Sequence, residues 1–252
     1  MAGSRTDVET SAAAAAYSDL RHVRAIVTGS AGDIGAAIVS ELRACGARVS
    51  GIDVRDPGGV DTTDRAAVDE AFAAHGPVDV VIANAGIVES APFLEITADQ
   101  WRRHLDVNLT GSFNVAQAAS RAMVEQGTGG RIVFMGSWIQ DIPWPEVAAY
   151  SATKAAVRML ARSMALELAP HRILVNVLAP GIVDAGVARR QRLSEPQYAQ
   201  RAGRVIPLGE LQTPQQVARA TVFLCSRAAD TMTGAVLLLD GGCSLFHVEQ
   251  EH

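Results

Sequence analysis

The chain has 252 residues, 48% of them apolar and 19% charged, with a net charge of −5 and a pI of about 5.7. This length allows one large α/β domain or two small ones, and the apolar content excludes global disorder. An acidic balance without a basic stripe argues against a nucleic-acid partner, and no apolar run reaches membrane-spanning length. Three widely spaced cysteines, Cys45, Cys225 and Cys243, match no zinc or redox pattern, so no metal site is expected and the thiols are read as reduced. With no strong signal-like apolar core near the start, the expected location is the cytoplasm.

Residues 1–19 read as a loosely ordered, alanine-rich tail. Beyond them, short apolar runs alternate with helical patterns. "VRAIVTG" reads as a strand, "DIGAAIVSELRACG" as a helix stopping at Gly46, and "ARVSGID" and "VDVVIANAG" as strands. A long helical segment follows "TADQWRRHLDVN". "GRIVFMGS" is a strand, "AAYSATKAAVRMLARSMALELA" a helix, and "ILVNVLAPG" a strand. "TPQQVARATVFLCS" is a helix with Thr213 as N-cap and Pro214 in its first turn, and "GAVLLLDGG" is the last strand. Strands this apolar are buried on both faces, which predicts a parallel sheet covered by helices. The expected fold is a doubly wound α/β Rossmann domain over residues 20–252, with a mostly parallel seven-stranded sheet. Residues 183–212 read as an irregular stretch long enough to form a substrate lid.

In "VTGSAGDIG", glycines at 29, 32 and 35 sit where a strand turns into a helix. Glycine admits a pyrophosphate close to the backbone, and the helix start offers N–H donors. Such turns also occur simply where the backbone needs φ > 0. Asp53, at the end of the second strand, can accept bonds from both adenosine ribose hydroxyls and repels a 2′-phosphate, which favours NAD over NADP. Nearby Arg55 blurs that choice.

Lys154 is the only lysine; the other 21 basic residues of the 22 are arginine. It stands four residues after Tyr150 on a predicted helix, on the same face. A lysine offers a compact, tunable ammonium where arginine offers a permanently charged fork.

Taken together, these residues resemble the classical short-chain dehydrogenase/reductase family over about residues 20–245. Thr28, Gly29 and Gly35 match its TGxxxGxG motif, with Ile34 inside the turn and Asp33 replacing the middle glycine. Asp33 is expected either to cap the helix or to weaken pyrophosphate binding. "ANAG" (Ala83, Asn84, Ala85, Gly86) matches NNAG, and Asp61 with Thr62 loosely matches the adenine-side pair. Asn108, Ser137, Tyr150 and Lys154 match the catalytic tetrad, and Pro180 and Gly181, followed by Val183, match the PG segment. Ala185 stands where the family usually has a threonine beside the nicotinamide. The span from Asp53 to Asp61 is short, so one crossover helix is expected to be missing.

The resemblance implies an NAD-dependent oxidoreductase and a homotetramer packed through the 149–169 helix and the C-terminal strand. It assigns acid/base chemistry to Tyr150, an oxyanion-type contact to Ser137, and a water-holding role to Asn108. Lys154 is expected to lower the tyrosine pKa and to bind the nicotinamide ribose. The substrate is then a small molecule held by Ser137, Trp138, Gln140, Trp144 and Tyr150, with Glu89 and Glu146 near. Two tryptophans suit a sugar, polyol or small cyclic alcohol. The arginines of the lid (189, 190, 192, 201 and 204) suit an anion or a 3-oxoacyl thioester. The departures at 33, 83 and 185 leave a catalytically silent NAD-binding regulator as a third reading.

Overall fold

The computed structural model describes residues 20–194 and 196–245; the expected tail at 1–19 and the Arg201 side chain lie outside the described residues. The elements run β1 (Arg24–Thr28), α1 (Asp33–Ala44), β2 (Arg48–Ile52), α2 (Arg65–His75), β3 (Val80–Ala83) and α3 (Ala98–His104). A π-helical stretch, Leu105–Gly111, joins α3 to α4 (Ser112–Gln126). Then come β4 (Gly130–Met135), α5 (Ala148–Leu168), β5 (Ile173–Pro180), α6 (Gly186–Ser194), α7 (Pro196–Val205), α8 (Pro214–Cys225) and β6 (Val236–Leu239).

All strand pairs are parallel, in the order β2-β1-β3-β4-β5-β6. Side chains alternate across this sheet, as the strand repeat of two requires. Ile26, Val81, Ile132, Phe134 and Val175 pack on one face with α2, α4 and α5. Ala25, Val27, Val80, Ile82 and Val133 pack on the other with α1 and α8. Helices therefore cover both faces, and the apolar strand runs are explained. Thr213 caps α8 in a capping box with Gln216, and Pro214 opens the helix.

The sheet has six strands among the described residues, where seven were expected. The cause lies between Asp53 and Asp61. Residues 54–63 form only turns, with neither a helix nor a strand. The missing crossover helix was anticipated, and the edge strand it would have fed is missing with it. The stretch at 183–212, read as irregular, contains α6 and α7. No helix among the described residues is long and apolar enough to cross a membrane.

Between β1 and β3 the strand order changes direction. In open parallel sheets, the carboxyl ends of the strands beside such a point form a crevice. Gly29, Asp53, Asn84, Gly136 and Gly181 each follow directly on a strand at that edge.

Candidate active site

A cleft of 840 Å³ runs along this edge, lined at one end by Gly29, Gly32, Asp33, Asp53 and Thr62 and at the other by Ser137, Trp138, Trp144, Tyr150 and Tyr198. A volume of this size suits a cofactor with a small substrate.

The nucleotide half is built by close backbone approach. Gly29 has φ of +64°, and a Cβ on Gly35 would lie 2.1 Å from the Gly29 carbonyl oxygen, so position 35 accepts only glycine. The turn is braced from β3. Thr28 Oγ1 accepts from the backbone N–H groups of Asn84 and Ala85, and Asn84 Nδ2 donates to Thr28 O at 2.9 Å. Gly181 is pressed against Asp240, where a Cβ would meet Cα at 2.7 Å. Its N–H donates to Leu239 O and to Gln212 Oε1, while Val183 bridges to Gln212. Pro180, Ile34, Asp61 and Gly86 also line the cleft. Asp61 accepts from Thr63 N and thereby leads into α2, whose N-cap is Asp64.

Asp53 is buried and accepts four bonds: from Ala31 N, Arg55 N, Arg55 Nε and Arg55 Nη2, at 3.0–3.1 Å. The Arg55 guanidinium holds this carboxyl down to about 2. The Arg55 side chain itself is 60% exposed. A glycine cradle beside a buried carboxylate at the end of β2 fits a nicotinamide dinucleotide.

Asp33 does not cap α1. The N-cap is Gly32, and Asp33 occupies the first helical position. Its Oδ2 instead accepts from Gly186 N at 2.9 Å, across the cleft. Ala185, the neighbouring residue, is buried against the face that carries α1.

At the centre, Ser137, in the loop after β4, and Tyr150 of α5 both line the cleft. Lys154 is 4% exposed, and its Nζ donates to Met135 O at 2.7 Å and stands 5.4 Å from the Tyr150 ring centroid. Burial pushes the Tyr150 phenol up to about 12, against the opposing pull of the Ser137 hydroxyl. Burial also pushes the Lys154 ammonium down to about 8. The phenol therefore shifts upward, against the expected lowering, because desolvation of the phenolate dominates.

Asn108 is fully buried in the π-helical stretch. Its Oδ1 accepts from Ile87 N at 2.7 Å, and its Nδ2 donates to Ile87 O and Thr153 Oγ1. The wider π turn is what lets a helix side chain face the strand-end loop. A Cβ on Gly86 would come 3.1 Å from Asn108 Oδ1 and 3.8 Å from Lys154 Nζ, so the lysine, the asparagine and the β3 turn meet there.

At the substrate end, Trp138 and Trp144 meet edge to face at 5.3 Å. Trp138 is only 5% exposed and packs with Ile182, Ala202, Val205, Ile206 and Cys243, so it is both a core residue and a cleft wall. Gln140, expected to touch substrate, does not line the cleft. The short turn Trp138–Gln140 folds its amide back against Gly136, where neither amide atom has a partner.

One position, His104, escaped the sequence reading. His104 Nε2 accepts from Glu89 N, which fixes the proton on Nδ1, donated to Gln100 O at 2.8 Å. It therefore anchors the Ile87–Ser90 wall, and its spacing of four residues before Asn108 was the available signal. Glu146, expected near the substrate, lines the cleft at φ of +66°, and its backbone carbonyl accepts from Ala91 N, joining the two walls.

The fold and this cluster define a Rossmann-type oxidoreductase. A family model described as enoyl-(acyl carrier protein) reductase matches residues 12–244. Carbonyl reductase (NADPH) 2 of Sus scrofa is 33% identical over 234 residues, covering 87% of this chain and 96% of its own. The 3-oxoacyl-(acyl-carrier-protein) reductase MabA of Mycobacterium bovis is 38% identical over 234 residues, covering 88% and 93%. The solved gluconate 5-dehydrogenase of Burkholderia cenocepacia, in complex with NADP and tartrate, superposes with a TM-score of 0.85 at 30% identity, covering 93% and 100%. The chain belongs to the classical short-chain dehydrogenase/reductase family.

Proposed function

We propose that the protein interconverts a secondary alcohol and its ketone with NAD(H), and that Tyr150 is the acid/base. The carrying observation is that Ser137 and Tyr150 share the cleft wall, with the buried Lys154 Nζ 5.4 Å from the Tyr150 ring centroid behind them. A bound nicotinamide supplies the hydride chemistry. Gly29, Ile34, Gly35, Asp53, Asp61, Thr62, Asn84, Ala85, Gly86, Pro180, Gly181 and Val183 would hold the dinucleotide, with Lys154 on its nicotinamide ribose. Ser137 donates to the substrate oxygen. In reduction the Tyr150 hydroxyl passes its proton to that oxygen as negative charge develops; in oxidation the phenolate takes the proton back. A phenol that ionises only near 12 stays protonated and ready to donate at neutral pH. The nearby Lys154 cation stabilises the phenolate once the proton has left.

The NAD preference rests on buried Asp53, whose charge opposes a 2′-phosphate. Arg55, beside it and exposed, supports a second reading in which NADP is also used. For the substrate, the paired tryptophans favour a neutral hydroxylated ring, of sugar or polyol type. The likeness to MabA favours a 3-oxoacyl thioester instead. A panel of polyols, sugars, simple secondary alcohols and 3-oxoacyl thioesters, each with NAD(H) and NADP(H), separates these readings by kcat/KM. Absence of turnover on all of them despite NADH binding would leave the silent-regulator reading. Residues 183–212 act as the lid. Exposed Met159 and Leu166 on α5, with Phe113 and Val124 on α4, support a homotetramer built through these helices.

A further inference from the structure

The segment over the cleft is held in two different ways. Helix α7 and the residue after it bury Ala202, Val205 and Ile206 against Trp138 and Ile139. Helix α6 has no described residue that is fully buried, and Leu193 on it is 72% exposed. Polar contacts hold it instead. Asp33 Oδ2 accepts from Gly186 N at 2.9 Å and faces Arg189 Nη1 at 3.3 Å. Arg189 also donates to Asp184 O, and Arg192 pairs with Asp184 at 3.2 Å. The contacts to Asp184 stay within the segment. Among the described residues, only Asp33 ties α6 to the nucleotide-binding turn by a charge.

The carboxylate also lies at the first turn of two helices at once, α1 and α6. Both N-terminal ends favour a negative charge there. Glycine in its place, as the TGxxxGxG pattern has, would leave the Gly186 N–H and Arg189 without this partner.

We propose that Asp33 is a positioning residue that latches α6 over the cleft before any dinucleotide arrives, so that dinucleotide exchange requires the latch to open. The inference rests on the reading of the cleft as a dinucleotide site. It places Ala185, Ala188, Arg190 and Gln191, which line the cleft, under the control of one carboxylate.

The sign of the effect distinguishes a latch from simple charge repulsion. If Asp33 only repelled a pyrophosphate, removing it would slow NADH dissociation. If it latches the lid, removing it speeds dissociation. NADH release is followed by stopped-flow fluorescence with excess NAD as chase, for wild type, Asp33→Ala, Arg189→Ala and the double variant. In parallel, the dinucleotide-free proteins are exposed to trypsin, and cleavage after Arg190 and Arg192 is timed. Asp33→Ala is expected to raise both rates roughly fivefold, the scale of one solvated hydrogen bond with an ion pair beside it. Arg189→Ala should raise them less, and the double variant should match Asp33→Ala, because the tie of Arg189 to the nucleotide-binding turn runs through Asp33 and its other contacts, to Asp184, stay within the segment. High salt should bring wild type toward Asp33→Ala. Unchanged or slower NADH release in Asp33→Ala, or effects that multiply in the double variant, would overturn the latch. A protein that fails to bind NADH would refute the dinucleotide reading, and the trypsin arm would still decide whether Asp33 holds α6.

Discussion

Lys154 Nζ lies 5.4 Å from the ring centroid of Tyr150 and is held there by the carbonyl of Met135 at 2.7 Å. The backbone of β4 therefore fixes the ammonium in a buried site. Tyr150→Phe is expected to lower turnover by about 10² to 10⁴-fold with the fold intact by circular dichroism. Lys154→Arg keeps the charge but not the fit, and a severe loss of kcat is expected as well. Near-normal kcat in either variant, on a substrate the wild type turns over, would remove the acid/base assignment.

Lys154 also carries a stability cost whose pH dependence can be worked out. Its pKa falls from 10.5 in the unfolded chain to about 8 in the fold. Between those values the unfolded chain binds the proton and the native protein does not, so stability rises with pH there. Below 8 the full cost, about 3 kcal/mol, is present. Lys154→Met removes it and gives up one hydrogen bond, so at pH 7 the variant should be more stable by about 1–2 kcal/mol. Above pH 10.5 the cost is gone and only the lost hydrogen bond remains, so the variant should there be the less stable of the two. Urea midpoints at the two pH values check this, and a variant less stable than wild type at pH 7 contradicts it.

The Asp53–Arg55 pair yields a cofactor prediction. Wild-type kcat/KM should be higher with NAD than with NADP, and Asp53→Ala should narrow the gap. Arg55→Ala should depress NADP use selectively, since the exposed guanidinium is the cation paired with the Asp53 carboxylate. Equal use of both cofactors by wild type would shift the assignment to Arg55.

Trp138→Ala and Trp144→Ala should separate packing from recognition. Trp138 is nearly buried among lid residues, so its truncation should cost about 3–5 kcal/mol in stability as well as raising substrate KM. Trp144, only partly buried, should change KM with a smaller stability loss. Unaltered KM in both would make them packing residues alone.

Much of this was legible beforehand, for physical reasons. Strands buried on both faces write continuous apolar runs, so β1, β3, β4 and β5 appeared in the sequence, and the edge strands β2 and β6 were read from the short runs "ARVSGID" and "GAVLLLDGG" beside them. The glycine turn was readable because a Cβ on Gly35 has no space. Helix α6 was missed because it has no apolar stripe; charges on Asp33 and Asp184 hold it, and a pattern of hydrophobicity does not record them. Gln140 was misplaced because a one-turn helix reverses the chain after Ser137, so spacing from the serine did not predict which way the amide turned. The tyrosine pKa failed for another reason: a sequence shows which charges lie near a group but not how deeply the group is buried.

The short turn at 54–63 has an effect far from the cofactor. Among the described residues nothing pairs with the outer side of β2, so the sheet ends in an open row of backbone groups. Such a row is a template on which another chain can add a strand and begin to aggregate. Here it is five residues long, with Arg48 and Ser50 exposed and Gly51 interrupting it. Arg43, reaching from α1, already donates to the Val49 carbonyl at 2.9 Å. Solubility at this edge thus depends on two arginines that take no part in the chemistry, and apolar replacements at 43 and 48 would turn the trimmed sheet into an adhesive one.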